Sequence, residues 1–217
     1  MSSQQPIRDT NQQSGVEPQI IYCLDLEGVF TPEIWVALAE ATGHKVFART
    51  TRDEPDYPKL MQTRVDALRE HNIGFTQMQS VVETLDPLPG AVEFLDELRA
   101  MGPVAILSDT FEQLVEPLII KLGRPFMLCH QFEIVEDQVV AARLRCDDPK
   151  RKAVLGFQSL GYRVKAVGDS FNDISMLAAA DEGYLFRTSQ TVADAHPEFE
   201  SETDYDSLLK LLTDKAC

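Results

Sequence analysis

The apolar run Ile20, Ile21, Tyr22, Cys23, Leu24 passes directly into Asp25-Leu26-Glu27-Gly28-Val29, and no other junction constrains the fold as much. A strand that is apolar at every position, rather than at every second one, is buried on both faces and belongs inside a parallel sheet. Ligands of such sheets gather just beyond the carboxyl ends of the strands. Asp25 and Glu27 stand at that address. Because they are two positions apart, an extended chain directs both to one side, and Gly28 lets the backbone turn close to a ligand. One carboxylate could attack there while its neighbour moves protons.

The rest of the chain alternates short apolar runs with helical periods, the pattern of a βαβ sheet. Strands are expected at Ile20–Leu24, Pro103–Leu107, Phe126–Cys129, Val164–Val167 and Tyr184–Phe186. Three of these run into polar clusters, Asp25 to Gly28, Ser108 to Thr110 and Gly168 to Asp173, as an active-site rim requires. The segment Gln131–Arg143 reads as a β-hairpin turning at Glu136-Asp137, and Asp206–Leu212 as a last helix on the sheet edge.

About 80 residues separate the first two strands, more than one crossover needs. Their pattern is helical. Thr31 and Pro32 make an N-cap and first turn for a helix carrying Ile34, Trp35, Leu38 and Ala41, which Gly43 ends. Further helices are expected from about Pro58 to His71 and from about Thr76 to Leu85, before the breaker cluster Asp86-Pro87-Leu88-Pro89-Gly90. The expected organisation is a polar, disordered extension over residues 1–18, an α/β core over 19–30 and 87–217, and a helical cap over 31–86.

Composition narrows the partners. The 217 residues, 44% hydrophobic, suffice for one good core and a small second domain. A formal charge of −15 argues against nucleic acid or an anionic membrane as partner, and no apolar run approaches the roughly 20 residues of a membrane span. A phosphorylated metabolite then needs local positive charge, from a metal ion or a few placed bases. Cys23, Cys129, Cys146 and Cys217 show no metal-ligand spacing and read as reduced thiols of a cytoplasmic protein.

Taken singly, the polar residues have ordinary explanations. An aspartate at a strand end is more often a turn or cap than a nucleophile; Ser108 can cap a helix, and Lys150 can be a solvated charge. Asp169 or Ser170 can cap the helix that follows, with Asp173 favouring its positive end. Together, two acidic rims suit a hard cation such as Mg2+, which commonly takes one or two carboxylates plus substrate phosphate. Asp25 and Asp169 would supply them. Ser108 and neighbouring main-chain amides could hold phosphate oxygens, and Lys150 could be the fixed cation of a phosphoryl site.

Asp25-x-Glu27-Gly28-Val29, Ser108, Lys150 and Gly168-Asp169-x-x-Asn172-Asp173, in this order, resemble the four motifs of the haloacid dehalogenase-like phosphatases. The insertion after the first motif is similar to the helical cap of the phosphoserine phosphatase branch. The stretches Cys23 to Trp35, Thr50 to Met61 and Asp147 to Lys152 resemble its bifunctional phosphoserine phosphatase/homoserine phosphotransferase subgroup, and the resemblance spans about Ile20 to Leu212. Most of the wider family has aspartate where this chain has Glu27, and the subgroup shares the glutamate. Its extra methylene adds about 1.5 Å of bond length.

The resemblance implies a Rossmann-like core and a magnesium-dependent phosphatase whose nucleophile is Asp25, with Glu27 as the acid and base. The metal would be held by Asp25, Asp169 and the main-chain carbonyl of Glu27. Lys150, Ser108 and Asp109 would bind the phosphoryl group, with Asn172 contributing and Asp173 holding the metal or Lys150 from behind. Glu33 and Arg64 would recognise the ammonium and carboxylate of a small phosphorylated amino acid. Homoserine is implied as a second acceptor. A phosphatase for another small phosphomonoester and a noncatalytic phosphometabolite-binding module remain alternatives.

Overall fold

The computed structural model describes residues 18–50, 53, 54 and 56–213, so the expected extension lies outside the described residues apart from Pro18. Among these, the strands are β1 (Ile20–Leu24), β2 (Val104–Phe111), β3 (Met127–Val135), β4 (Gln138–Arg143), β5 (Arg163–Gly168), β6 (Glu182–Phe186) and β7 (Glu200–Glu202). They form one sheet in the order β4-β3-β2-β1-β5-β6-β7, parallel except for the β3–β4 pair. The helices are α1 (Ile34–Thr42), α2 (Tyr57–Glu70), α3 (Phe75–Glu83), α4 (Ala91–Met101), α5 (Glu112–Lys121), α6 (Pro149–Ser159), α7 (Ile174–Ala179), α8 (Gln190–Ala195) and α9 (Tyr205–Thr213). None is long and apolar enough to cross a membrane.

The continuous apolar character of β1 follows from its central place. Leu24 pairs with Ile106 on one side and Val167 on the other. Alternate side chains enter opposite cores. Ile21 and Cys23 join Val154 of α6, Met176 and Leu177 of α7 and Val192 of α8, whereas Tyr22 and Leu24 join Phe94, Leu95 and Leu98 of α4 and Leu208 of α9. Each such aliphatic side chain contributes roughly 1.5–3 kcal/mol on full burial. Because β2 and β5 flank β1 on opposite sides, the strand order switches there, and a crevice opens beyond the carboxyl end of β1.

Two expectations need correction. Thr31 and Pro32 do not cap α1, which begins at Ile34 with Glu33 at the N-cap position. Gly28, at φ +78°, reverses the chain so that Thr31 lies beside Glu27 in an isolated bridge, and the Glu27 carboxylate accepts the Ile34 N–H at 2.8 Å instead. The second strand does not end at Leu107. It continues to Phe111, and its register with β3 shifts between Leu107 and Phe111, so Ser108, Asp109 and Thr110 occupy an irregularity inside the strand. Gly43 does end α1, in the left-handed region at φ +74°.

The hairpin turns at Glu136-Asp137, whose φ values of 47° and 66° suit a tight two-residue turn. Its tip also completes α3. The Asp137 carboxylate accepts from Thr76 N at 2.8 Å and Thr76 Oγ1 at 2.7 Å, and its carbonyl accepts from Phe75 N at 2.6 Å. Beyond the far end of α3, Lys121 Nζ donates to the carbonyls of Glu83 and Leu85 and to Asp86. Both ends of α3 are thus satisfied by the sheet-bearing part of the chain, with charges matched to the helix dipole.

Candidate active site

The three polar rims converge at the crevice above β1. The Asp25 N–H donates to Val167 O at 3.0 Å, extending the β1–β5 ladder by one residue, and Asp25 Oδ1 accepts from Leu26 N at 2.7 Å. Lys150, in the first turn of α6, is buried and places Nζ 2.8 Å from Asp25 Oδ1, 2.7 Å from Asp173 Oδ1 and 3.5 Å from Asp109 Oδ2. Asp173 Oδ2 accepts from the main-chain N–H groups of Asp169 and Ser170 at 3.0 and 3.1 Å, and from Ser170 Oγ at 3.2 Å. Both Asp173 oxygens are therefore committed to shaping the loop and holding Lys150.

The balance of charge is negative. Burial, then Asp173, push the Asp25 carboxyl well above the ordinary aspartate range, against the pull of Lys150. Burial, then Asp173 and Glu33, raise Asp169 to about 7. Burial lowers the Lys150 pKa, yet Asp173, Asp25 and Asp109 together hold it well above the lysine range. Asp109 also loses by burial, but Lys150 and His130 bring it below the usual carboxylate value.

A hard cation fits this donor set. Oxygens of Asp25, Asp169 and Asp173 all lie within 4.8 Å of one another. With Asp173 committed, the oxygens left to meet a cation are Asp25 Oδ2 and those of the Asp169 carboxylate. The approach of Asp169 depends on Gly28. A Cβ at that position would meet Asp169 Cγ at 2.5 Å, so the same glycine that supplies the positive φ leaves room for the carboxylate.

Facing this cluster across a cavity of about 220 Å³ stand Glu27, Glu33, Trp35, Tyr57, Arg64 and Phe171. Burial, then the charge of Glu33, push Glu27 up to about 8, although the Ile34 N–H opposes them. Buried Arg64 lies 4.3 Å above the Trp35 ring and donates from Nη2 to Arg49 O at 2.7 Å, while its buried Nε has no partner among the described residues. A buried guanidinium N–H without a partner is costly.

The remaining expected site residues are distributed less evenly. Asp109, Asp169 and exposed Asn172 line the cavity with Glu33 and Arg64. Ser108 is buried below them, its Oγ accepting from Thr110 N at 3.2 Å, and lines neither this cavity nor an adjoining one of about 500 Å³. Two residues were not anticipated: Tyr57, which lines both cavities, and His130, which lines the larger. Tyr57 donates its hydroxyl to Asp109 O at 2.5 Å, and His130 places Nε2 3.6 Å from Asp109 Oδ1. A tyrosine opening a helix and a lone histidine in an apolar strand carry no signal in sequence.

Known proteins share this arrangement of sequence and fold. The profile of a family described as haloacid dehalogenase-like hydrolase matches residues 24–181. The chain is 50% identical over 191 residues to a phosphoserine phosphatase of Pseudomonas syringae pv. tomato, covering 88% of this chain and 81% of that protein. It is 50% identical over 189 residues to phosphoserine phosphatase ThrH of Pseudomonas aeruginosa, covering 87% and 92%. The crystal structure of a phosphoserine phosphatase from T. onnurineus superposes with a TM-score of 0.72 at 22% identity, covering 91% of this chain and 96% of that one, a likeness of fold.

Proposed function

The chain belongs to the haloacid dehalogenase-like hydrolases, and on that premise we propose that it is a phosphoserine phosphatase working through an aspartyl-phosphate on Asp25. The observation that carries the substrate is the pairing of Glu33 with buried Arg64 on the cavity that also holds Glu27, Asp109 and Asp169. A carboxylate for an ammonium group and a guanidinium for a carboxylate suit an amino acid whose side chain bears the phosphate. Residues 31–86 serve as the cap over a core made of 19–30 and 87–217.

In this reading Asp25 attacks phosphorus as the bond to the serine oxygen breaks, replacing one slow displacement by two easier ones. Glu27, held with its carboxyl pKa near 8, delivers a proton to the departing oxygen. It then takes a proton from the water that attacks the aspartyl-phosphate, which restores Asp25 and releases phosphate. A homoserine hydroxyl entering in place of water would leave as phosphohomoserine. Asp25, Asp169 and the Glu27 carbonyl would hold Mg2+, whose chemistry there is to neutralise the phosphoryl oxygens. Lys150, anchored by Asp173, adds fixed positive charge beside the nucleophile. Ser108 and the main chain of Asp109 complete the phosphoryl cradle.

The test is phosphate release from phosphoserine with and without Mg2+, by the wild type and by Asp25→Asn, with phosphohomoserine followed when homoserine is added. Mg2+-dependent release abolished by Asp25→Asn is the expected result. No release by the wild type, or equal release by the variant, overturns the proposal; absence of phosphohomoserine removes the transferase part alone.

A further inference from the structure

The loop that carries Glu27 is bonded first to itself and then to distant parts of the chain. Leu26 O accepts from Phe30 N at 2.8 Å and Thr31 N at 3.1 Å, and Thr31 O accepts from Gly28 N at 2.8 Å. Residues 26–31 are thereby joined into one piece, pinned at its base where the Asp25 N–H meets Val167 O. Away from that base, Phe30 O accepts from Leu88 N at 2.9 Å. Val29 O accepts the hydroxyl of buried Tyr205 at 2.6 Å, a bond that spans 176 positions and reaches the loop from the start of α9.

Tyr205 is itself held in place. Its ring packs on Phe94 and Phe186, each at 4.9 Å between centroids, and the Arg187 guanidinium lies 4.5 Å above it. Arg187 is fixed in turn by its Nε, which donates to Thr203 O at 3.1 Å. Burial pushes the Tyr205 pKa up to about 12, against the pull of Arg187, so the hydroxyl keeps the proton that it donates.

Glu27 lies between the base of the loop and this tether. Asp25 has its own fixings, the N–H on Val167 O and Oδ1 beside Leu26 N and Lys150 Nζ. The Glu27 carboxylate instead accepts from Ile34 N–H, in the helix that the loop leads into, and so travels with the loop. Releasing Val29 O displaces Glu27 more than Asp25. We propose that Tyr205 is a positioning residue for Glu27, its hydroxyl holding the loop where that carboxyl group reaches the departing and attacking oxygens. The inference deepens the phosphatase reading and rests on it for the role of Glu27.

Tyr205→Phe removes the hydroxyl and keeps the stacked ring. Two substrates separate positioning of Glu27 from support of the fold. Serine leaves phosphoserine only with a proton, whereas the phenolate of para-nitrophenyl phosphate leaves without one; the water that cleaves the aspartyl-phosphate needs a base in both cases. Tyr205→Phe is therefore expected to lose about 10-fold in kcat on phosphoserine, the worth of one buried hydrogen bond. On para-nitrophenyl phosphate its first turnover, followed by stopped flow with Mg2+, should stay within about twofold of wild type while the steady state falls. Para-aminophenylalanine in place of Tyr205 restores an N–H donor and should recover most of the loss. Tyr184→Phe, which removes a hydroxyl donated to Glu182 at 2.5 Å, is the control and should match wild type in every assay.

Undiminished phosphoserine turnover by Tyr205→Phe, an equal fall of its first turnover and steady state, an equal loss in Tyr184→Phe, or no recovery with the amino group each overturn the proposal. Should Tyr205→Phe not fold, para-fluorophenylalanine at the same position, which fills the space of the hydroxyl without a donor, takes the same test. Failure of the phosphoserine reading looks different: the wild type itself would release no phosphate from phosphoserine.

Discussion

Gly28 and Gly43 offer a matched pair of substitutions. Their φ angles are +78° and +74°, so an alanine at either bears the same left-handed penalty, about 1–2 kcal/mol. For a chain of this size each kcal/mol lowers the melting temperature by about 2–4 °C, giving a fall of about 2–8 °C for either variant from backbone strain alone. The two differ in what the new methyl group meets. At Gly43 nothing lies within 4 Å, whereas at Gly28 the methyl carbon would stand 2.5 Å from Asp169 Cγ and must displace it by about 1 Å to reach ordinary contact. A misplacement of that size at a reacting centre costs about 100-fold. Phosphate release from phosphoserine should therefore fall about 100-fold in Gly28→Ala, with a higher Mg2+ requirement, and stay near wild type in Gly43→Ala. Equal activity losses in the two variants, or a Gly28→Ala enzyme within threefold of wild type, would refute the reasoning.

Removing the Arg64 guanidinium should act on one substrate and spare another: Arg64→Ala is expected to lower kcat/KM for phosphoserine about 10- to 100-fold, with little change for an aryl phosphate that lacks a carboxylate. Similar losses on both would point to a phosphatase for other phosphomonoesters. Hydrogen bonds from Thr76 hold the Asp137 carboxyl below the usual range, so this group stabilises the fold above its unfolded-state pKa and ceases to as pH falls through the lower folded-state value. Asp137→Asn should thus cost stability at pH 7 and much less under acid, as read by denaturant melts across that range; a deficit independent of pH contradicts it. Burial pushes the Cys23 thiol to about 12, and Cys146 is exposed. Peptide mapping after alkylation at pH 8 should find Cys146 modified and Cys23 protected until the chain unfolds.

The parts legible in sequence are those whose cause is local and repeated. β1 could be read because a strand buried on both faces has no polar position to interrupt it, and the rims could be read because Asp25, Ser108 and Asp169 each follow an apolar run. The capping signal of Thr31-Pro32 failed because it competes with Gly28: once the glycine reverses the chain, Glu27 reaches Ile34 and the nearer residues have other partners. The continuation of β2 was invisible because Ser108-Asp109-Thr110 is a turn-like tripeptide carried inside a strand by its neighbours. β7, Glu-Ser-Glu, is a short polar edge with no apolar alternation to announce it. Tyr57 and His130 matter through a meeting point created by the interruption of the β2–β3 ladder, which no single segment encodes.

The borrowed ends of α3 have a consequence for how the chain is made. A nine-residue helix is marginal in water by itself, and the groups that complete this one lie far ahead in the sequence: Lys121 is 38 residues beyond Glu83, and Asp137 is 61 beyond Thr76. At a synthesis rate of roughly 5–20 residues per second, Asp137 leaves the ribosome about 3–12 s after Thr76. Through that interval α3 exists without its partners. α3 therefore gains its end contacts only after the hairpin that it precedes in the gene, and a nascent chain arrested before that hairpin would carry Asp25 without a finished α3.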